Sequence, residues 1–302
     1  MSHSSHAKGI MAGLAAAVCY GLIPLFTMPI KKGNPVDFLS DYSILFYRFA
    51  LAACIIGVIM LLMRRSFRIT RGELVTLTYL AFLSDGSALF LIDGYNYLSG
   101  GVATTIHFMY PVMTTLLMIA FYHEARKAST LSAVLLAVIG VGVLSWQSDG
   151  NTSIHGVVIE LISACCYALY LIRVNRSRVR NMDGMKLTFY VMGIGALIFG
   201  AEALRQGDFQ PVTTSLQVTN LLVLGIVCTV ITNLCLVAAV KSIGSTMTAV
   251  LGALEPLTAV ALGCLLMGEA ITANIIVGIC LIIPSVVIII FTRARRPAEA
   301  EE

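Results

Sequence analysis

Two stretches of this chain follow the same pattern, and a chain written twice folds as a unit and its copy. Tyr110-Pro111 precedes an apolar run that stops at Glu124-Ala125, and Glu255-Pro256 precedes a similar run that stops at Glu269-Ala270. The two prolines stand 145 positions apart, and so do the two glutamates. Upstream, Gly9, Leu14, Ala17, Cys19, Tyr20 and Leu22 recur 147 positions later as Gly156, Leu161, Ala164, Cys166, Tyr167 and Leu169. Repeats of a multi-helix unit are a mark of secondary transporters, whose sites form where the repeats meet.

The repeated unit belongs in a membrane. Mean hydropathy is +0.89 and 12% of residues are charged, against roughly 25% in soluble domains. Apolar runs of about 20 residues, each long enough to cross a bilayer as a helix, recur from end to end. They leave no room for a separate soluble domain. Ten spans are predicted, near 8–30, 42–63, 73–97, 99–122, 127–146, 154–174, 185–204, 216–240, 243–267 and 271–292. The first run contains Pro24 and Pro29 and lacks a small-residue cleavage pattern, so it is expected to stay as a span. The eight cysteines all fall within apolar runs, with no Cys-x-x-Cys pair. They read as small buried hydrophobes, not as disulfides or metal ligands. The net charge of +4 is no nucleic-acid signal, because the basic residues sit in short inter-helix loops.

The basic residues set the orientation. With a cytoplasmic N-terminus, the inner segments hold sixteen Lys and Arg, among them Arg64, Arg65, Arg68 and Arg71 after the second span and Arg173, Arg176, Arg178, Arg180 and Lys186 after the sixth. The outer segments hold only Lys31, Lys32 and Arg205. The positive-inside rule then places both termini in the cytoplasm. Five spans per repeat make the second half enter from the opposite side. Glu124 is expected at the inner face beside Arg126 and Lys127, and Glu269 at the outer face in a loop without bases. Both glutamates are expected at the N-terminus of the following helix, where its dipole favours a negative charge.

This layout resembles the drug/metabolite transporter superfamily, specifically its EamA-type members. The resemblance rests on Tyr47-Arg48-Phe49-Ala50-Leu51-Ala52 in the second span, the Pro111…Glu124 and Pro256…Glu269 cadences, and Gly140 late in the fifth span. The second half departs from the pattern at Thr188-Phe189-Tyr190 and Ser285, and the first span at Cys19-Tyr20-Gly21. The resemblance implies an all-α membrane protein with ten transmembrane helices in two inverted five-helix repeats, 8–147 and 154–292. It also implies a central cavity.

Polar residues at mid-span mark candidate substrate contacts, because charges in hydrocarbon tend to face protein or a watery cavity. Tyr20, Asp85, Tyr110, Tyr167 and Glu255 all fall near the centre of their spans, and the resemblance places this set around the cavity. Glu255 precedes Pro256, whose missing N–H frees a carbonyl one turn upstream, so it reads either as a cation-attracting or protonatable site beside polar backbone at mid-membrane or as a protonated side chain hydrogen-bonded to a neighbouring helix. His107 and Tyr110 share a helix face at i, i+3 spacing, and the repeat places His107 opposite Gly252. His107 reads either as half of a titratable pair with Glu255 or as a neutral side chain bonded to a neighbouring carbonyl or hydroxyl. Asp85 has a structural alternative in bonds to nearby hydroxyls. Asn233, deeper on the eighth span, is a further candidate. Tyr20 and Tyr167 read either as opposed aromatic faces that hold an organic cation or a ring or as plain helix packing. Arg48, Asp93 and Glu160 lie in the outer halves of their spans and read as a structural ion pair or as side chains snorkelling outward.

The function expected is secondary transport of small organic solutes (amino acids, amines or related metabolites) across the cytoplasmic membrane by alternating access. No Walker A sequence is present. Proton coupling through Glu255, Asp85 or His107 stays open. No cofactor, metal or nucleic-acid partner is expected, and the oligomeric state is left open. The alternatives are a carrier of nucleotide-sugar-like or other anionic metabolites, a channel, or an intramembrane enzyme. The last lacks a His-Glu-x-x-His or Gly-x-Ser-x-Gly motif.

Overall fold

The computed structural model describes residues 3–122, 128–145 and 153–294. Glu124 with its flanking bases Arg126 and Lys127 and the end of the fifth predicted span lie outside them. Among the described residues the chain is helical throughout, without strands. The first span is α1 (His3–Gly21) and α2 (Ile23–Lys32), followed by α3 (Asp41–Leu62) and α4 (Arg71–Gly94). The fourth span is broken into α5 (Gly100–His107) and α6 (Tyr110–Tyr122), and α7 (Ala128–Ser145) completes the first half. The second half begins with α8 (Ile154–Arg176) and α9 (Gly184–Gln206). It continues with α10 (Ser215–Leu222), a π-helical stretch at Val223–Ile231, α11 (Thr232–Leu251), α12 (Leu254–Met267) and α13 (Ala273–Ala294). Among the described residues eight helical segments are long and apolar enough to cross a membrane, and the shorter apolar helices Leu131–Val143 and Leu254–Met267 make up the ten.

Local sequence explains where these helices start and break. Thr70 with Glu73 and Thr214 with Gln217 form capping boxes at the starts of the third and eighth spans, which are repeat mates. Each box satisfies two N–H groups that the first turn cannot bond. Pro24, Pro111 and Pro256 each lie just beyond a break, at Leu22, Phe108–Met109 and Gly252–Ala253, as expected where an N–H is missing and the ring clashes with the preceding turn. Helix α11 continues from the eighth span into the ninth through residue 251, yet a side chain at Gly13 would touch both Leu251 and Ala239. In a straight helix those two residues would lie about 18 Å apart, so the chain turns back between them, as the predicted boundary near 240–243 requires.

The packing shows the two-fold repeat. The second span packs on its repeat mate, α3 on α9, and the fifth on its own, α7 on α13. The first span packs on the eighth, α1 on α11, and the mirror pair α8 on α4 does the same. Glycines let the crossings close: a Cβ at Gly101 would lie 2.8 Å from Val260 Cα, and one at Gly140 would lie 2.8 Å from Ile282 Cγ1. Small residues serve this purpose where lipid offers no hydrophobic drive for helices to associate. Large apolar side chains such as Leu62, Phe121, Leu197 and Leu265 point outward, each at least 72% exposed, as a lipid-facing surface requires. The same logic corrects one expectation. The cysteines are free thiols, but only Cys228 is fully buried, and Cys54 and Cys280 lie on exposed faces, because a small apolar group is equally at home against lipid.

Candidate functional site

A cavity of about 400 Å³ opens where the two halves meet. Of the seven sequence candidates, Tyr20, His107, Tyr110, Tyr167, Asn233 and Glu255 line it. They come from α1, α5, α6, α8, α11 and α12, three helices from each half. The helix breaks explain part of this convergence, since His107 ends α5, Tyr110 begins α6 and Glu255 stands in the first turn of α12. A carboxylate there is favoured by the positive end of the helix dipole. Among the described residues, no side chain hydrogen-bonds to the Glu255 carboxylate. Its neighbours within electrostatic range include Tyr20, Tyr110 and Tyr167.

The carbonyl that Pro256 was expected to free does not stay open. Glu255 N donates to Gly252 O at 2.9 Å, a tighter turn that satisfies the orphan left by the proline.

An aromatic wall faces Glu255. Tyr110 and Tyr167 meet edge to face with centroids 4.8 Å apart, Tyr167 stacks on Tyr170 at 5.8 Å, and His107 lies 5.8 Å from Tyr167. Edge-to-face geometry aligns the positive ring edge with the negative face of its neighbour. His107 Nδ1 is 2.9 Å from Ser163 Oγ, and Ser163 donates its hydroxyl to Ser87 O at 2.7 Å. The only hydroxyl hydrogen of Ser163 is thereby used, so His107 donates from Nδ1 and keeps Nε2 as an acceptor when neutral. This is the hydroxyl partner that the neutral alternative for His107 called for. Asn233 donates its amide to Thr229 O at 2.7 Å.

Asp85 faces elsewhere. It is absent from the cavity wall. It is 4% exposed, and neither carboxylate oxygen has a hydrogen-bond partner. A Cβ at Gly195 would lie 2.5 Å from its Oδ1, so it points at α9. The outer-half trio also differs from expectation. Arg48 pairs with neither Asp93 nor Glu160. Its Nε donates to Thr229 Oγ1 at 3.0 Å, and the side chain lines the cavity. Asp93 accepts from Asn96 at 3.0 Å, and Glu160 is fully buried against Gly94 with no hydrogen-bond partner. Glu269 does sit at a helix N-terminus, but of a different helix: its Oε1 accepts from Gly100 N of α5 at 2.9 Å.

Residues that the sequence does not assign to the cavity complete the wall, chiefly Arg48, Tyr170, Thr188 and Thr229. Tyr170 was findable, because it follows Tyr167 by three positions and so shares its face. Thr229 was not. It lies in the π-helical stretch and donates to Leu224 O five residues back at 2.9 Å, and the extra residue per turn changes which way the following positions point. Among the described residues, no group of three His, Cys, Asp or Glu side chains gathers around a possible metal.

The EamA-like transporter family model matches residues 7–146 and 154–291, once in each half. An uncharacterized transporter of Clostridium kluyveri is 24% identical over 172 residues, 53% of each chain. An uncharacterized transporter of Archaeoglobus fulgidus is 28% identical over 163 residues, 54% of this chain and 57% of that one. The chain thus spans about half the length of the curated relatives it matches. A crystal structure of another protein superimposes with a TM-score of 0.67 at 13% identity, covering 96% of this chain and 99% of that one, a likeness of fold alone.

Proposed function

This chain belongs to the EamA-like transporter family, and from that premise we propose that it is a secondary carrier, not an enzyme. It takes small organic solutes bearing an ammonium group through the central cavity by alternating access. The observation that carries this reading is Glu255, a carboxylate in the cavity wall that no other side chain engages among the described residues. A carboxylate left to water in a largely apolar pocket is a natural partner for a cation. The faces of Tyr20, Tyr110, Tyr167 and Tyr170 add cation–π attraction. A cavity of about 400 Å³ stands near the small end of ligand pockets, which favours metabolites of amino-acid size over nucleotide sugars. Proton exchange at Glu255 or His107 is the proposed route for coupling. Asp85, which faces α9, supports coupling only through helix movement. The basic loops support a cytoplasmic-membrane protein with both termini inside.

The test is counterflow in reconstituted vesicles. Glu255→Gln keeps volume and hydrogen bonding and removes the charge. It is expected to weaken binding of cationic solutes about tenfold or more while the protein stays folded. Unchanged affinity and an unchanged pH profile would remove Glu255 from the mechanism. Flux that neither saturates nor shows counterflow would point to a channel.

A further inference from the structure

We propose that the basic end of α8 is a binding site for the headgroup phosphate of an anionic phospholipid, with Arg173 and Arg176 as its donors. The site lies on the lipid-facing surface and is independent of what the cavity carries.

One face of α8 runs from the bilayer to these arginines. Val158 and Ile162 are exposed and Leu169 is half-buried. Arg173 and Arg176 continue that face, both exposed, at the spacing of successive turns. The helix packs on both α4 and α6, and each arginine leans onto one of these neighbours. The guanidinium carbon of Arg173 lies 5.6 Å from the centre of the Tyr79 ring on α4, and that of Arg176 lies 4.0 Å from the Tyr122 ring at the end of α6. Both rings are themselves exposed. A cation–π contact engages the flat face of a guanidinium. The N–H groups lie in its plane and stay available to an oxyanion. Tyrosine is also a residue that settles at the level of the headgroups.

The protein does not neutralise the charge gathered here. Arg178 lies against Gly72 in the first turn of α4, and Arg71 and Arg180 are exposed. Among the described residues this end of the molecule holds two carboxylates, and both are engaged. Glu73 accepts from the Thr70 N–H and hydroxyl in its capping box. Asp183 pairs with Arg65 and caps α9. An anionic lipid is the counter-ion that a membrane surface supplies to such a basic patch between helices. Val75 and Phe82 of α4 and Phe121 of α6 flank the patch with exposed apolar side chains, a surface suited to acyl chains. A zwitterionic lipid brings an ammonium along with its phosphate, and the arginines repel it.

The experiment titrates the purified full chain in a neutral detergent with phosphatidylglycerol and with phosphatidylcholine, read by thermal shift and by lipid retained in native mass spectrometry. Phosphatidylglycerol is expected to be retained and to raise the melting temperature, as a ligand of the folded state does, and phosphatidylcholine to do so far less. Arg173→Gln and Arg176→Gln should each weaken phosphatidylglycerol about fivefold, the factor for one arginine at a membrane surface, and the double variant should nearly abolish retention. Arg64→Gln removes the same charge beyond the end of α3 and should leave binding unchanged. Tyr79→Leu and Tyr122→Leu keep both charges and remove only the rings. Each should weaken binding severalfold, which keeps the proposal testable if the double arginine variant fails to fold. Equal binding of the two lipids would overturn the proposal, and so would full retention in the double variant or in both tyrosine variants. Weakening by Arg64→Gln as large as by Arg173→Gln would replace the site with a diffuse surface charge. Inorganic phosphate or glycerol phosphate that stabilises the protein as well as phosphatidylglycerol would overturn the lipid as the source of the phosphate.

Discussion

Glu269 ties one half of the molecule to the other, and its removal gives a graded prediction. Its Oε1 accepts from Gly100 N, the first residue of α5, at 2.9 Å. Ser99 Oγ covers the Val102 N–H of the same turn at 3.4 Å. Gly100 is buried, so no bulk water replaces the carboxylate. Glu269→Gln keeps an acceptor and removes the charge, which should cost about 0.3–1 kcal/mol as the loss of a charge–dipole interaction. Glu269→Ala also strands a buried N–H, adding about 1–3 kcal/mol. A side chain at Gly263 would collide with the Glu269 carboxylate, so Gly263→Ala should expel the cap and reproduce part of the alanine effect. Combined with Glu269→Ala, it should add less than its own separate cost. Reversible unfolding in mixed micelles measures these differences. Equal stability of Gln and Ala variants would refute the reasoning, and so would full additivity of Gly263→Ala with Glu269→Ala. The far end of α5 carries His107, so the alanine variant should also weaken ligand binding in the cavity.

Gly101→Ala forces a Cβ to 2.8 Å from Val260 Cα, well inside the ~3.5 Å of a comfortable carbon contact. It should cost about 1–3 kcal/mol, whereas Gly142→Ala, which meets nothing within 4 Å, should be neutral or gain up to about 1 kcal/mol of helix propensity; matching unfolding curves for the two variants would contradict this. In a background lacking the exposed Cys54 and Cys280, new cysteines at Ser66 and Asn181 should label from the cytoplasmic side and one at Gly268 from the outside. Labelling of all three from one side would defeat the inverted arrangement. In counterflow, Glu255→Gln should lose cationic solutes about tenfold or more, read as a rise in the half-saturating concentration with the fold intact.

The sequence by itself determined the repeat, the ten spans and the position of each polar residue along its span. That position is legible because a helix rises a fixed 1.5 Å per residue, and the ends of each span are marked by caps, prolines and bases. Tyr20, His107, Tyr110, Tyr167, Asn233 and Glu255 all reached the cavity wall for this reason. What the sequence could not supply was direction around each helix axis. In water an apolar stripe reveals the inner face. In a bilayer the outer face is as apolar as the core, so the stripe disappears. Asp85 therefore stands at mid-span in the sequence, while its carboxylate points at Gly195 of α9. Arg48 was judged by the position of its backbone, but its long side chain carries the guanidinium into the cavity wall, where Thr229 holds it. Thr229 itself is turned by a π-helical stretch that residue counting at 3.6 per turn does not anticipate. Glu269 was assigned to the next helix along the chain, and only the packing of one repeat on the other brought it to α5. Tertiary structure decided rotation and partnership because, among helices apolar on every side, only contact with a specific neighbour distinguishes one face from another.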